Sequence, residues 1–175
     1  ENARTILGVT AAGHNAADVD GVDLTAGLGD MEYLRRQGIN GPVWALLALD
    51  AGFRALAESS GHPTMIFADR FPARYFVEEY GLDYYAAFPG CAEEAEPSAR
   101  TVAFLIDKVR QKNTPAVFYI EFSNQKMADV ICEDTGCQKL LFHCCHNVTR
   151  QQLDEGISYL GLMEQNLNTL REALG

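Results

Sequence analysis

The sequence predicts an α/β fold: a four-stranded parallel sheet flanked by helices, preceded by a helical segment. Three observations carry this expectation. From residue 62 onward, short apolar runs alternate with stretches whose apolar residues recur at helical spacing. Gly, Pro or Ser punctuation closes most of these segments. A helix-length stretch separates each strand from the next, which is what right-handed parallel crossovers require.

Residues 1–40 give the least pattern. Residues 5–10 form a short apolar segment. Asp18-Val19-Asp20-Gly21-Val22-Asp23 sets carboxylates at alternate positions around a glycine, as a calcium loop does. The twelfth position counted from Asp18 is Gly29, which has no ligand to offer, so a plain acidic turn is expected. Gly38-Ile39-Asn40-Gly41-Pro42 is strong turn punctuation, and Pro42 suits the first turn of a helix. Leu46, Leu49, Phe53 and Leu56 then fall on one helical face until Ser59-Ser60-Gly61 and Pro63 stop it.

The alternation follows. Residues 64–68 read as a buried strand, and residues 71–80 as a helix closed by Gly81. Residues 84–88 read as a second strand ended by Pro89-Gly90. Glu96-Pro97-Ser98 starts a helix striped by Val102, Leu105, Ile106 and Val109. Residues 116–120 form a third strand, and Ser123 is expected to cap a helix carrying Met127, Val130 and Ile131. Residues 140–142 form the fourth strand. Thr149 and Gln152 match a capping box opening one long final helix, with Leu153, Ile157, Leu160, Met163, Leu167, Leu170 and Leu174 inward. Phe71, Tyr75, Phe76, Tyr84 and Tyr85 are assigned to the core.

At 175 residues the chain is long enough for a core and makes one domain or one and a fraction. A net charge of −10 argues against nucleic acid, whose phosphates need a basic face. No apolar run approaches the roughly 18 residues that cross a bilayer. The start at Glu1-Asn2-Ala3-Arg4 lacks the basic-then-apolar order of a signal peptide, and fits the beginning of a mature secreted chain or of a trimmed piece. Five cysteines leave at least one thiol unpaired within a single chain.

Chemistry concentrates at the end of the fourth strand, in His143-Cys144-Cys145-His146. Ligands of open α/β sheets bind outside the carboxyl ends of the strands, where His143 stands. Neighbours on an extended chain point apart, so at most two of these four residues can share one ion. The alternative is a buried histidine among core cysteines. Glu121 ends the third strand on the same edge and reads as a ligand, as a partner orienting a ligand imidazole, or as a solvated acid. Asp69 and Arg70 end the first strand and can pair with each other or with Glu121; Arg70 also suits an anion or a chelated metal. Cys132 and Cys137 flank a helix end and a Gly turn, and read equally as a local disulfide or as unpaired core thiols. His14 and His62 read as solvated loop residues. An enzyme using Cys144 or Cys145 with His143 or His146 as base lacks an orienting third group and an oxyanion hole, so no enzyme is expected.

Several motifs in order carry a resemblance: Leu49-Asp50-Ala51-Gly52-Phe53-Arg54, Arg70-Phe71-Pro72-Ala73-Arg74-Tyr75-Phe76, Glu79-Tyr80-Gly81-Leu82, Glu96-Pro97-Ser98, Phe118-Tyr119-Ile120-Glu121, Glu133-Asp134-Thr135-Gly136, and Tyr159, Met163, Asn166 and Leu167. Residues 48–175 resemble the C-terminal lobe of the zinc/manganese solute-binding receptors of bacterial ABC importers. That family joins two α/β lobes by a long helix and holds the metal between them with two ligands from each. The resemblance implies zinc or manganese as transported ligand and an importer permease as partner. It places the protein at the outer face of the cell membrane or in the periplasm, as a lipoprotein-type receptor whose membrane anchor is outside this chain. The family's first ligand of this lobe maps to Arg70, which cannot ligate a cation, leaving Asp69 beside it. Its second, usually Asp, maps to His143, a competent zinc ligand. Candidate metal ligands are therefore His143, Glu121, Asp69, Cys144 and His146, with Arg70 as the anion contact.

Residues 1–47 do not resemble the receptor's N-terminal lobe. Residues 4–50, chiefly Gln37 to Asp50, look like one helical repeat of terpenoid-cyclase or prenyltransferase-like proteins. A single repeat cannot bury both its faces, so this segment is expected to lean on the receptor lobe or on a second chain. Such a lobe holds half a site and binds weakly unless a second chain completes it; a homo-oligomer is one way to do so.

Overall fold

The run Thr64-Met65-Ile66-Phe67-Ala68 has no polar face to turn to water, so it must be covered on both sides. In the computed structural model, which describes residues 2–90 and 98–175, it forms the buried body of β1 (Thr64–Phe71). Cys91 and the Glu96-Pro97 helix start lie outside the described residues. With β2 (Asp83–Pro89), β3 (Ala116–Tyr119) and β4 (Gln138–Leu141), this strand builds a parallel sheet in the order β2-β1-β3-β4. The chain steps from β1 to β2 on one side and then crosses to β3 on the other, so the strand order reverses between β1 and β3. Such a switch point opens a crevice at the carboxyl ends of those two strands.

Helices α1 (Asn2–Ala11), α2 (Met31–Arg35), α3 (Asn40–Ser59), α4 (Arg74–Tyr80), α5 (Ala99–Lys112), α6 (Lys126–Thr135), α7 (Arg150–Asp154) and α8 (Tyr159–Leu174) complete the chain. Packing divides it into two compact units, Glu1–Glu58 with Val148–Asn168, and Ser59–Asn147 with Thr169–Gly175.

The second unit holds the sheet. On one face, Ile66, Ala68 and Val117 meet Leu105 and Val109 of α5 and Met127, Ala128 and Ile131 of α6. The other face is aromatic: the Phe67 ring lies 5.3 Å from Phe71, 5.5 Å from Phe118 and 5.8 Å from Phe142. Helix α4 ends at Gly81, whose left-handed φ of 65° lets its N–H reach Val77 O. That helix starts three residues later than the pattern suggests. Phe71 precedes Pro72, whose ring favours extended backbone at the preceding residue, and β1 runs on through it. Tyr75, assigned to the core from sequence, is 83% exposed on α4, while Phe71 is buried and stacks on the half-exposed Tyr84. Ser123 is not the N-cap of α6: its Oγ accepts from Gln125 N, and Gln125 itself precedes the helix with φ 58°.

In the first unit the apolar segment 5–10 belongs to α1. The acidic stretch is a turn: Asp18 Oδ1 accepts from Gly21 N, and Val19 pairs with Val22. Helix α3 buries Ala45, Ala48, Leu49 and Phe53, leaving Leu46 exposed rather than inward. The final helix is not continuous. The Thr149–Gln152 capping box opens only α7, because Gly156 takes φ 76° and breaks the ladder before α8 begins; Leu153 is accordingly exposed. Residues before α3 do lean on α8. Glu164 accepts from Gly27 N at 2.6 Å and Gly29 N at 2.8 Å, and a Cβ on Gly29 would come within 2.5 Å of Gly161 Cα. Among the described residues no helix is long and apolar enough to cross a membrane.

Phe67 is fully buried and central to the ring cluster. Phe67→Ala should cost about 3–5 kcal/mol, read as a lower urea midpoint at an unchanged m-value.

Candidate metal centre

Strand ends deliver the candidate residues to one edge. Glu121 lies two residues beyond β3, and His143 two beyond β4. Phe142 N donates to Tyr119 O at 2.9 Å, extending the β3–β4 register past the last strand residue and holding the two segments level. His143 Nδ1 is 3.8 Å from Glu121 Oε1, with the two side chains only 4% and 9% exposed.

The Glu121 carboxylate is held by the segment after β4. Cys144 N donates to Oε2 at 2.8 Å, and Cys144 Sγ donates to Oε1 at 2.5 Å. Burial pushes the Glu121 pKa up, but the Cys144 thiol and backbone N–H, with its own N–H and the nearby His143, outweigh it and hold the carboxyl below its usual value. The thiols move the other way: burial and the Glu121 carboxylate push Cys144 up to about 12 and Cys145 up to about 11.

His143 is oriented by its own turn. Cys145 N donates to His143 Nδ1 at 3.0 Å, and Cys145 takes a left-handed φ of 62° to make that contact. Because Nδ1 accepts, the neutral imidazole carries its proton on Nε2. A metal ion at Nε2 needs the proton on Nδ1 instead, which would break the Cys145 contact. Phe122, next to Glu121, also has positive φ, at 62°. Backbone of this kind in bulky side chains is uncommon, and here it brackets one site.

At the end of β1 a bulge intervenes. Phe67 pairs with Ala86 and Arg70 with Phe88, so Ala68 and Asp69 together oppose one residue of β2. Asp69 Oδ1 accepts from Arg70 N at 2.7 Å and lies 3.8 Å from Arg70 Nε; its other oxygen is buried with no hydrogen-bond partner among the described residues. A cleft of about 340 Å³ opens on this edge, lined by Arg70, Glu121, Cys144 and His146 together with Phe122 and Asn147. Asp69 does not line it, and His143 lies buried. The structure therefore brings Glu121, His143 and Cys144 into contact, places Arg70 and His146 around the same cleft, and turns Asp69 toward Arg70. Among the described residues, no group of three or more His, Cys, Asp and Glu side chains is arranged to hold a metal ion. Phe122 and Asn147 escaped sequence reasoning, since neither carries chemistry that marks it out.

The fold is that of one lobe of an α/β solute receptor, with a cleft at the carboxyl edge of its parallel sheet. The family described as zinc-uptake complex component A, periplasmic, matches residues 45–173, and the chain belongs to that family. It is 27% identical over 100 residues to the high-affinity zinc uptake system protein ZnuA of Bacillus subtilis, covering 57% of this chain and 31% of that protein. It is 26% identical over 98 residues to the zinc-binding lipoprotein AdcA of Streptococcus pneumoniae, covering 56% of this chain and 19% of that protein. The chain thus spans under a third of the length of either relative. Among solved structures, the metal-dependent lipoprotein YcdH of Bacillus subtilis superposes with a TM-score of 0.63 at 22% identity, covering 87% of this chain and 59% of that one. The Zn(II)-bound ZnuA-like domain of Streptococcus pneumoniae AdcA gives 0.60 at 19%, covering 87% and 58%. The likeness of residues 4–50 to a terpenoid-cyclase repeat gains no support from these matches.

A carboxyl whose pKa is depressed by folding stabilises the folded state above its unfolded value, and that stability fades as pH falls. Wild-type protein should therefore lose stability as pH drops below about 4.5. Glu121→Gln should cost about 1–3 kcal/mol at neutral pH and show a flatter decline, both read from urea midpoints across the acid range.

Proposed function

We propose that this chain contributes the C-terminal lobe of a zinc-binding solute receptor of an ABC importer, with residues 48–175 as that lobe and residues 1–47 as a helical extension in front of it. The family match over residues 45–173 carries the reading. The named relatives are described as zinc-uptake and zinc-binding proteins, which favours zinc over manganese as the ion carried. A permease would be the partner, and the outer membrane face or the periplasm the location.

His143 and Glu121 are the proposed donors from this lobe. An imidazole buried beside a carboxylate that lines the cleft offers donor types that suit zinc. Zinc binding would replace the Cys144 hydrogen bonds on Glu121 and swing the Cys145 N–H away from His143, so the 143–146 turn would rearrange on loading. Two donors make half a tetrahedral site; the remaining ligands would come from a second body, such as a further lobe or a second copy of the chain. Cys144, His146 and Asp69 would be auxiliary at most. No catalytic role is proposed, because a thiol held at about 12 is the reverse of an activated nucleophile.

A second reading rests on Arg70. It stands where the family carries a ligand, keeps 43% of its side chain exposed and lines the cleft. An anion or a chelated metal would then be the cargo, with the guanidinium as its contact.

Calorimetric titration of the reduced protein with zinc and with manganese, beside His143→Ala and Arg70→Ala, tests both readings. Zinc binding lost in His143→Ala supports the receptor. Zinc binding that survives His143→Ala overturns the donor assignment. Binding only of an anionic zinc chelate, lost in Arg70→Ala, establishes the second reading in its place.

A further inference from the structure

None of the four cysteines among the described residues is in a disulfide, and they fall into two pairs with different surroundings. Cys144 Sγ is engaged with the Glu121 carboxylate, and Cys145 Sγ lies 3.7 Å from His143 O. Both belong to the cleft edge. Cys132 and Cys137 do not: their sulfurs face each other at 3.3 Å, at the opposite end of β4.

The backbone holds them there. Cys132 sits in the last turn of α6, and its carbonyl accepts the N–H of Gly136 at 2.8 Å, a closure that Gly136 makes with φ 75°. Thr135 Oγ1 donates to Ile131 O at 2.7 Å and accepts from Cys137 N at 3.4 Å. One residue later, Gln138 N donates to Pro115 O at 2.9 Å and enters the sheet. Both ends of the five-residue step are thus pinned, and side-chain rotation alone has to bring the sulfurs about 1.3 Å closer to reach bonding distance.

We propose that Cys132 and Cys137 form a dithiol redox site that reacts with a small disulfide oxidant of the glutathione class and closes into an intrachain disulfide. This inference does not rest on the receptor reading. Cys137 lies in the short link between α6 and β4, outside the helix that carries Cys132, so Cys137 is the sulfur that reacts first; burial and the contact with Cys137 push the Cys132 thiol up to about 12. Cys137 gives its proton to water and attacks one sulfur of oxidised glutathione; the S–S bond breaks and one glutathione thiolate leaves. The mixed disulfide removes the thiol that had been raising Cys132. Cys132 then loses its proton and attacks the Cys137 sulfur, expelling the second glutathione. Two protein thiols are oxidised, and one oxidised glutathione is reduced to two thiols. The product staples the end of α6 to the start of β4, away from the cleft.

The test uses the full chain equilibrated with glutathione buffers of graded oxidation, alkylated, and digested after lysine and arginine. Lys126 and Lys139 bound a peptide, residues 127–139, that contains both cysteines and no other. Under oxidising buffers this peptide should appear unlabelled and lighter by two hydrogens. Cys132→Ser should instead carry glutathione on Cys137. Persistent double alkylation under oxidising buffers overturns the proposal, as does linkage of either residue to Cys144 or Cys145.

Discussion

The structure depends on one constraint: β1 lies inside a parallel sheet and must be covered on both faces. Met65, Ile66 and Phe67 have no measurable exposure, and burial on this scale is what orders the rest of the second unit. The alternation of side chains sends Ile66 and Ala68 to the aliphatic layer under α5 and α6, and Phe67 to the rings of Phe71, Phe118 and Phe142. Parallel pairing forces each return through a helix. Stepping to β2 on one side and β3 on the other then leaves the carboxyl ends of β1 and β3 side by side without a crossing connection above them. The cleft is a consequence of covering the central strand.

Into that cleft the chain places a site closed on itself. Glu121 is an anion desolvated at the end of a strand, and an anion there has to be compensated. The compensation is local, from the thiol and N–H of Cys144, with His143 close by. The same turn spends the His143 Nδ1 lone pair on Cys145 N. These contacts fix Glu121 and His143 in position while keeping their lone pairs occupied, so an ion proposed to bind there would have to exchange one set of partners for another. The left-handed backbone at Phe122 and Cys145 places the irregular geometry in two short turns rather than in the sheet.

Arg70 and Asp69 set the charge on the far side of the cleft. The bulge in β1 opposes two residues to one, and the Asp69 carboxylate folds back onto the Arg70 N–H while the guanidinium lines the opening. The Arg70 guanidinium thus lines the same cleft as the Glu121 carboxylate, which follows β3. The guanidinium offsets part of the negative charge on the cleft wall.

Periodicity and punctuation were enough to read the four strands, the stripe of α5, the Gly81 cap and the Thr149–Gln152 box, because each is set by residues within a few positions of one another. The placement of Glu121 and His143 on one sheet edge was also readable, since both follow apolar runs that can only be parallel strands. The break at Gly156, the exposure of Leu46, Leu153 and Tyr75, and the contact between Glu164 and the Gly27–Gly29 turn were not. Each depends on what another part of the chain presents, and an apolar residue at helical spacing faces inward only if a partner surface exists there. The hydrogen bonds that occupy Glu121 and His143, and the 3.3 Å approach of Cys132 to Cys137, belong to the same class. Local order along the chain settles which segments are strands and helices. The protonation state, partners and reactivity of a side chain are settled by distances and desolvation, which exist only once remote segments are packed together.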